Sequence, residues 1–197
     1  MASKELQAAL DAAQAAAEVI RSLYQKNITV KTKSDASPVT EADVRAEEVI
    51  KGVLSERFPS YGFYGEETGR HSMGAENVWL VDPIDGTKSF VRDCPFFSTQ
   101  IALMRAGQIV VGVSSAPAYG ELAWAESGGG AFMNDRAIRV SAIDDLSRCI
   151  VSTGNLKTMT RSSQWSRLGD LIPPLRSLHA PPAEDGERVG TGPMPSA

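Results

Sequence analysis

Apolar residues recur at three- and four-residue steps near the start of the chain: Leu6, Leu10, Ala13, Ala17, Ile20 and Tyr24. In an alanine-rich background this spacing predicts a helix over 4–25. Ile28 to Lys33 alternates apolar and polar residues and predicts a short strand. Ser34 to Pro38 reads as a loop. Thr40 then caps a second helix, with Asp43 three positions on completing a capping-box variant. Val44, Val49, Ile50, Val53 and Leu54 supply the expected apolar face, which runs to about Phe58 and stops at Pro59.

Past Pro59 the period changes from helical spacing to alternation and short apolar runs. Val78–Val81, Thr99–Met104, Ile109–Ser114 and Leu122–Ala125 predict strands, and Arg148–Ser152 a further one. Ala106-Gly107 and Tyr119-Gly120 lie between consecutive runs, where they signal antiparallel hairpins. Gly128-Gly129-Gly130 is another break. Helices first and a meander afterwards predict an α+β fold, with N-terminal helices packed on an antiparallel sheet. The composition shifts near Pro173. The stretch 173–197 holds six of the eleven prolines and no apolar periodicity, so it reads as a disordered tail behind a folded unit of 1–172.

Composition narrows the function classes. Forty-two percent apolar and 22% charged residues over 197 positions describe an ordinary globular chain. A net charge of −4 gives no reason to expect nucleic acid or an anionic membrane as partner. No run is long and apolar enough for a bilayer span, and the N-terminus lacks a secretory layout. Cys94 and Cys149 stand apart without CxxC spacing, which suits a reduced thiol pair and a cytoplasmic setting.

The chemistry concentrates in five carboxylates near element ends: Asp43, Glu66, Glu67, Asp82 and Asp85. Asp82 and Asp85 follow the apolar strand Trp79-Leu80-Val81, and Pro83 is expected to stop strand pairing and stiffen the backbone there. Hard oxygen ligands at this density suit magnesium or manganese rather than zinc. Asp85-Gly86-Thr87 sits where a helical turn can begin, and exposed amides at such a start can hold phosphate. Asp-Gly alone marks a hairpin turn, and Glu-Glu alone a solvated loop. Their joint occurrence beside an apolar strand is what points to metal-assisted phosphate hydrolysis.

The run Trp79-Leu80-Val81-Asp82-Pro83-Ile84-Asp85-Gly86-Thr87 resembles the signature of the inositol monophosphatase family. Gly65-Glu66-Glu67-Thr68, Val39-Thr40-Glu41-Ala42-Asp43 and Gly130-Ala131-Phe132-Met133-Asn134 are similar to its other motifs, over about residues 5–172. Lys88-Ser89-Phe90 and Cys94-Pro95-Phe96-Phe97-Ser98-Thr99 look closer to the histidinol-phosphate phosphatase branch, with its place in histidine biosynthesis. The resemblance implies the first half of a layered αβαβα sugar-phosphatase fold. It implies that Glu66, Asp82 and the Ile84 carbonyl hold one magnesium, and that Asp82 and Asp85 share a second. Thr87, with Asp43 behind it, would orient the attacking water, and the Gly86 and Thr87 amides would bind phosphate. Glu67 is set aside because its neighbour matches the ligand position. The implied substrate is a small phosphate monoester, histidinol phosphate first, with inositol monophosphatase or bisphosphate nucleotidase activity as alternatives. A homodimer is compatible with this reading.

One family motif is missing. Trp-Asp-x-Ala-Ala-Gly, whose aspartate completes the second metal site, does not occur; Trp165 to Asp170 has the wrong spacing. The pattern stops near Ile172, so the chain reads as truncated or as translated in a shifted frame beyond that point. A catalytically incomplete fragment is therefore a further alternative. His71 reads as a surface-loop residue, His179 as part of the tail, and Cys94 as no nucleophile. The triple glycine lacks a P-loop ending.

Overall fold

A computed structural model describes residues 2–26, 29–32, 38–153, 156–173 and 177–179 of the chain. It divides into two compact units, 1–139 and 140–197.

The first unit opens with α1 (Lys4–Leu23), capped by the Ser3 hydroxyl accepting the Leu6 amide. Its buried stripe is mostly alanine: Ala8, Ala9, Ala12, Ala13, Ala16 and Ala17 join Leu6 and Ile20. Small side chains let a neighbour approach closely, and α2 (Glu41–Arg57) packs along α1. Between them β1 (Val30–Thr32) pairs antiparallel with β2 (Pro38–Thr40). The loop expected over Ser34–Pro38 thus yields Pro38 to a strand; residues 33–37 lie outside the described residues.

The rotation of α2 differs from expectation. Its buried residues are Ala42, Asp43, Ala46, Glu47, Ile50 and Leu54, whereas Val44 is 39% exposed. The helix turns two carboxylates inward in place of valines. The Thr40 cap forms as expected: its hydroxyl accepts the Ala42 and Asp43 amides, and Asp43 returns a carboxylate oxygen to the Thr40 amide at 2.7 Å.

Eight strands form one sheet: β3 (Gly62–Gly65), β4 (Gly69–His71), β5 (Asn77–Asp85), β6 (Ser98–Arg105), β7 (Gln108–Ala116), β8 (Glu121–Glu126), β9 (Gly130–Met133) and β10 (Arg136–Ile138), in the order β10-β9-β8-β7-β6-β5-β3-β4. The sheet is mixed rather than wholly antiparallel, because β3 runs parallel to β5. The β6–β7 hairpin turns on Ala106 and Gly107, both at positive φ, the geometry that suits the sheet's twist. Both helices pack on one sheet face, α1 over β6 and β7 and α2 over β5. Trp79, Val81, Ile101, Leu103, Val111 and Val113 form the core beneath them.

Pro83 does not end β5. Pairing with β6 skips from Asp82↔Gln100 to Asp85↔Ser98 across a bulge. The Thr99 hydroxyl, fully buried, donates to the Pro83 carbonyl at 2.8 Å and occupies the acceptor that the bulge frees.

The second unit contains a 3₁₀ turn (Leu146–Arg148), β11 (Ile150–Ser152), α4 (Leu156–Met159), α5 (Trp165–Leu171) and β12 (Ser177–His179). Within the stretch expected to be a tail, β12 pairs in parallel with β11. Residues 180–197 lie outside the described residues. Among the described residues, no helix is long and apolar enough to cross a membrane.

Candidate active site

The acidic residues come together where β3, β5 and α2 converge. The Glu66 amide donates to the Val81 carbonyl at 3.1 Å, extending the β3–β5 pairing one step and setting Glu66 beside Asp82. Asp82 is partly buried in the strand before the bulge, while Asp85, beyond it, is exposed.

Crowding has an electrostatic consequence. Burial, then the Glu66 carboxylate, then Asp85 push the Asp82 carboxyl up to about 8. Its Oδ1 is buried without a hydrogen-bond partner. A partly buried carboxyl with one oxygen unpaired, crowded by two more carboxylates, is costly by itself and is relieved by a cation. The donors are all hard oxygens, so the site fits a magnesium-like ion. The carboxylates are near enough to feel one another without forming a closed cage: among the described residues, no three His, Cys, Asp or Glu side chains stand in ligating arrangement.

The segment after Asp85 turns sharply. Gly86, at φ 98°, is the N-cap of α3 (Thr87–Val91), and a Cβ there would run into the Phe96 carbonyl. Only glycine meets both demands without strain. Behind it, Phe90 and Phe97 meet edge to face at 5.0 Å, and Tyr24 at the end of α1 packs on both. The aromatic cluster fixes α3 against the helical layer.

Thr87 lies in the first turn of α3. Its hydroxyl has two acceptors in reach, Asp43 Oδ1 at 3.1 Å and the Ile84 carbonyl at 3.0 Å. With one proton, it donates to one at a time. Asp43 is 1% exposed; burial raises its carboxyl above the usual range, opposed by hydrogen bonds from Thr40 and Thr87. Of the expected residues, the structure thus links Asp43 to Thr87, Thr87 to Ile84, and Asp82 to both Glu66 and Asp85.

Sequence reasoning missed Glu47. It is wholly buried and accepts the amides of Glu67 and Thr68 at 2.8 and 2.6 Å. A signal existed: Glu47 falls on the stripe Asp43, Glu47, Ile50, Leu54, whose i, i+4, i+7, i+11 spacing marks a buried helical face.

The sequence pattern of the inositol monophosphatase family matches residues 1–167. The chain belongs to that family. A histidinol-phosphatase of Chlorobaculum parvum is 43% identical over 148 residues, covering 75% of this chain and 57% of its own. An inositol-1-monophosphatase of Rhizobium meliloti is 44% identical over 131 residues, or 66% of this chain and 49% of that one. This family member therefore spans about half the length of the curated relatives it matches. In fold it superposes on the extragenic suppressor protein suhB of Bartonella henselae with a TM-score of 0.84 and 34% identity, over 90% of this chain and 70% of that one. The Thermotoga maritima IMPase TM1415 gives a TM-score of 0.81 at 28% identity, covering 90% and 68%.

Proposed function

We propose that this chain carries the cation- and phosphate-binding half of a magnesium-dependent phosphomonoesterase that hydrolyses a small phosphate monoester. The observation that carries the reading is the orphaned Asp82 Oδ1 set against Glu66 and Asp85. Glu66, Asp82, Asp85 and the Ile84 carbonyl would hold the ion, with manganese as a substitute. When bound, the ion supplies the charge that acidifies water and offsets the leaving alkoxide.

The chain's own residues do the rest. Thr87, donating to Asp43, keeps a lone pair free to accept from a water and so aims that water's oxygen at phosphorus. Asp43 fixes the hydroxyl's direction; as the water's proton passes to Thr87, the Thr87 proton passes to the Asp43 carboxylate and neutralises it. The Gly86 and Thr87 amides, at a helix start held open by the left-handed turn, face the phosphate oxygens. No residue needs to become phosphorylated.

Histidinol phosphate is the preferred substrate, supported by a histidinol-phosphatase relative and by the Lys88-Ser89-Phe90 variant of the motif. Inositol phosphate comes second, since an inositol-1-monophosphatase is similar to a comparable degree. Two thiols outside any disulfide support a cytoplasmic setting. The test pairs calorimetric magnesium titration with phosphate release from histidinol phosphate, inositol 1-phosphate and a nucleoside bisphosphate. Uptake with turnover, both lost in Glu66→Gln, is the expected result. Uptake without turnover would mark the chain as an incomplete fragment, and no uptake would sink the cation assignment.

A further inference from the structure

Glu47 takes no part in the roles assigned above, yet its environment is unusually specific. Its carboxylate is fully buried, and each oxygen accepts one of two consecutive amides: Oε2 from Glu67 at 2.8 Å and Oε1 from Thr68 at 2.6 Å. Charge-assisted bonds of this kind can offset the cost of burying a carboxylate. Gly65 completes the fit, because a Cβ there would overlap the Glu47 carboxylate. Glu47 also stands one helical turn from Asp43 on the same buried face of α2. Asp43 reaches Thr87 after β5, while Glu47 reaches the turn after β3.

We infer that Glu47 is a positioning residue for the divalent-cation site, acting through the backbone of Glu67 and Thr68 to hold Glu66 in register with Asp82. With Asp43 it makes α2 a two-pronged jig, each prong fixing one of the two acidic segments. Neither prong touches the ion. This rests on the cation reading proposed above.

The test is manganese affinity of the unmodified chain against Glu47→Gln, Gly65→Ala and Glu48→Gln, with manganese alone as the probe, well below each melting midpoint. Gln keeps one acceptor but turns an NH₂ donor toward the other amide, so the turn loses half its anchor. The expected result is about ten- to a hundred-fold weaker manganese binding in Glu47→Gln, the usual cost of losing a group that orients a ligand. Gly65→Ala, which displaces the carboxylate with its charge intact, should weaken binding similarly. Glu48→Gln removes an equal charge from the exposed face of α2 and should bind like the unmodified chain. A purely structural Glu47 would lower the melting midpoint and leave the affinity of the folded protein alone; unchanged binding in both variants overturns the inference. Should Glu47→Gln fail to fold, amide exchange in the unmodified chain decides. Glu67 and Thr68 amides protected together, and slowed further by magnesium, support the jig; exchange as fast as in an unstructured peptide refutes it. An unmodified chain that takes up no manganese fails at the cation reading itself, a distinguishable result.

Discussion

At the scale of single residues, Asp82 ties the site to the chain's stability. A carboxyl raised from 3.8 to about 8 binds its proton more tightly folded than unfolded. Its stabilising contribution is thus complete in acid and is lost as pH rises toward about 8. Asp43, raised by burial, works in the same direction. The metal-free chain should therefore melt at lower temperature at pH 8 than at pH 5. Asp82→Asn should flatten that slope, and saturating magnesium should reverse it by stabilising the ionised form. Thermal scans in chelator across this range provide the measurement; an Asp82→Asn slope equal to that of the unmodified chain would show the carboxyl is not the source. Thr87→Ala is the kinetic counterpart. It removes the hydroxyl proposed to stand between water and Asp43 and should lower kcat by about a hundredfold or more while leaving magnesium affinity nearly unchanged.

At the scale of elements, what could be read in advance depended on how much of the signal was local. The α2 start was legible because Thr40 and Asp43 satisfy each other's neighbouring amides within four residues. Thr40→Ala should cost about 1 kcal/mol of stability, seen in urea melts, with Thr40→Ser recovering most of it. The β6–β7 hairpin was legible from Ala106-Gly107 for the same reason. β3 was not: it has only four residues, and with glycine at both ends only Phe63 and Tyr64 are left to carry a side-chain pattern. Its parallel pairing with β5 is a tertiary fact with no local signature. The continuation of β5 past Pro83 was hidden likewise, since the bulge depends on Thr99, sixteen positions away. The acidic motif was visible through resemblance, but Glu47 escaped because a glutamate on a helix ordinarily reads as surface.

At the scale of the molecule, the first unit is a sheet with unequal faces. Along β6 and β7, Ile101, Leu103, Val111 and Val113 are buried against the helices, while Gln100, Ala102, Gly112 and Ser114 are only partly covered. The second face forms a trough of about 690 Å³, running from Glu66 and Asp82 past Leu80 and Ala102 to Trp124 and Phe132. Alternation along each strand therefore separates two duties: one face holds the sheet to α1 and α2, and the other lies open beside the acidic site. Substitutions one residue apart should respond accordingly. Ile101→Ala, at 1% exposure, removes packed volume beneath α1 and should cost about 2–5 kcal/mol. Ala102→Ser, on the trough side, adds a hydroxyl that remains within reach of water and should cost under about 0.5 kcal/mol. Urea melts of the two variants compare the faces directly. Equal costs would mean the trough is as tightly packed as the core, and that the acidic site is closed on the side where it is now open.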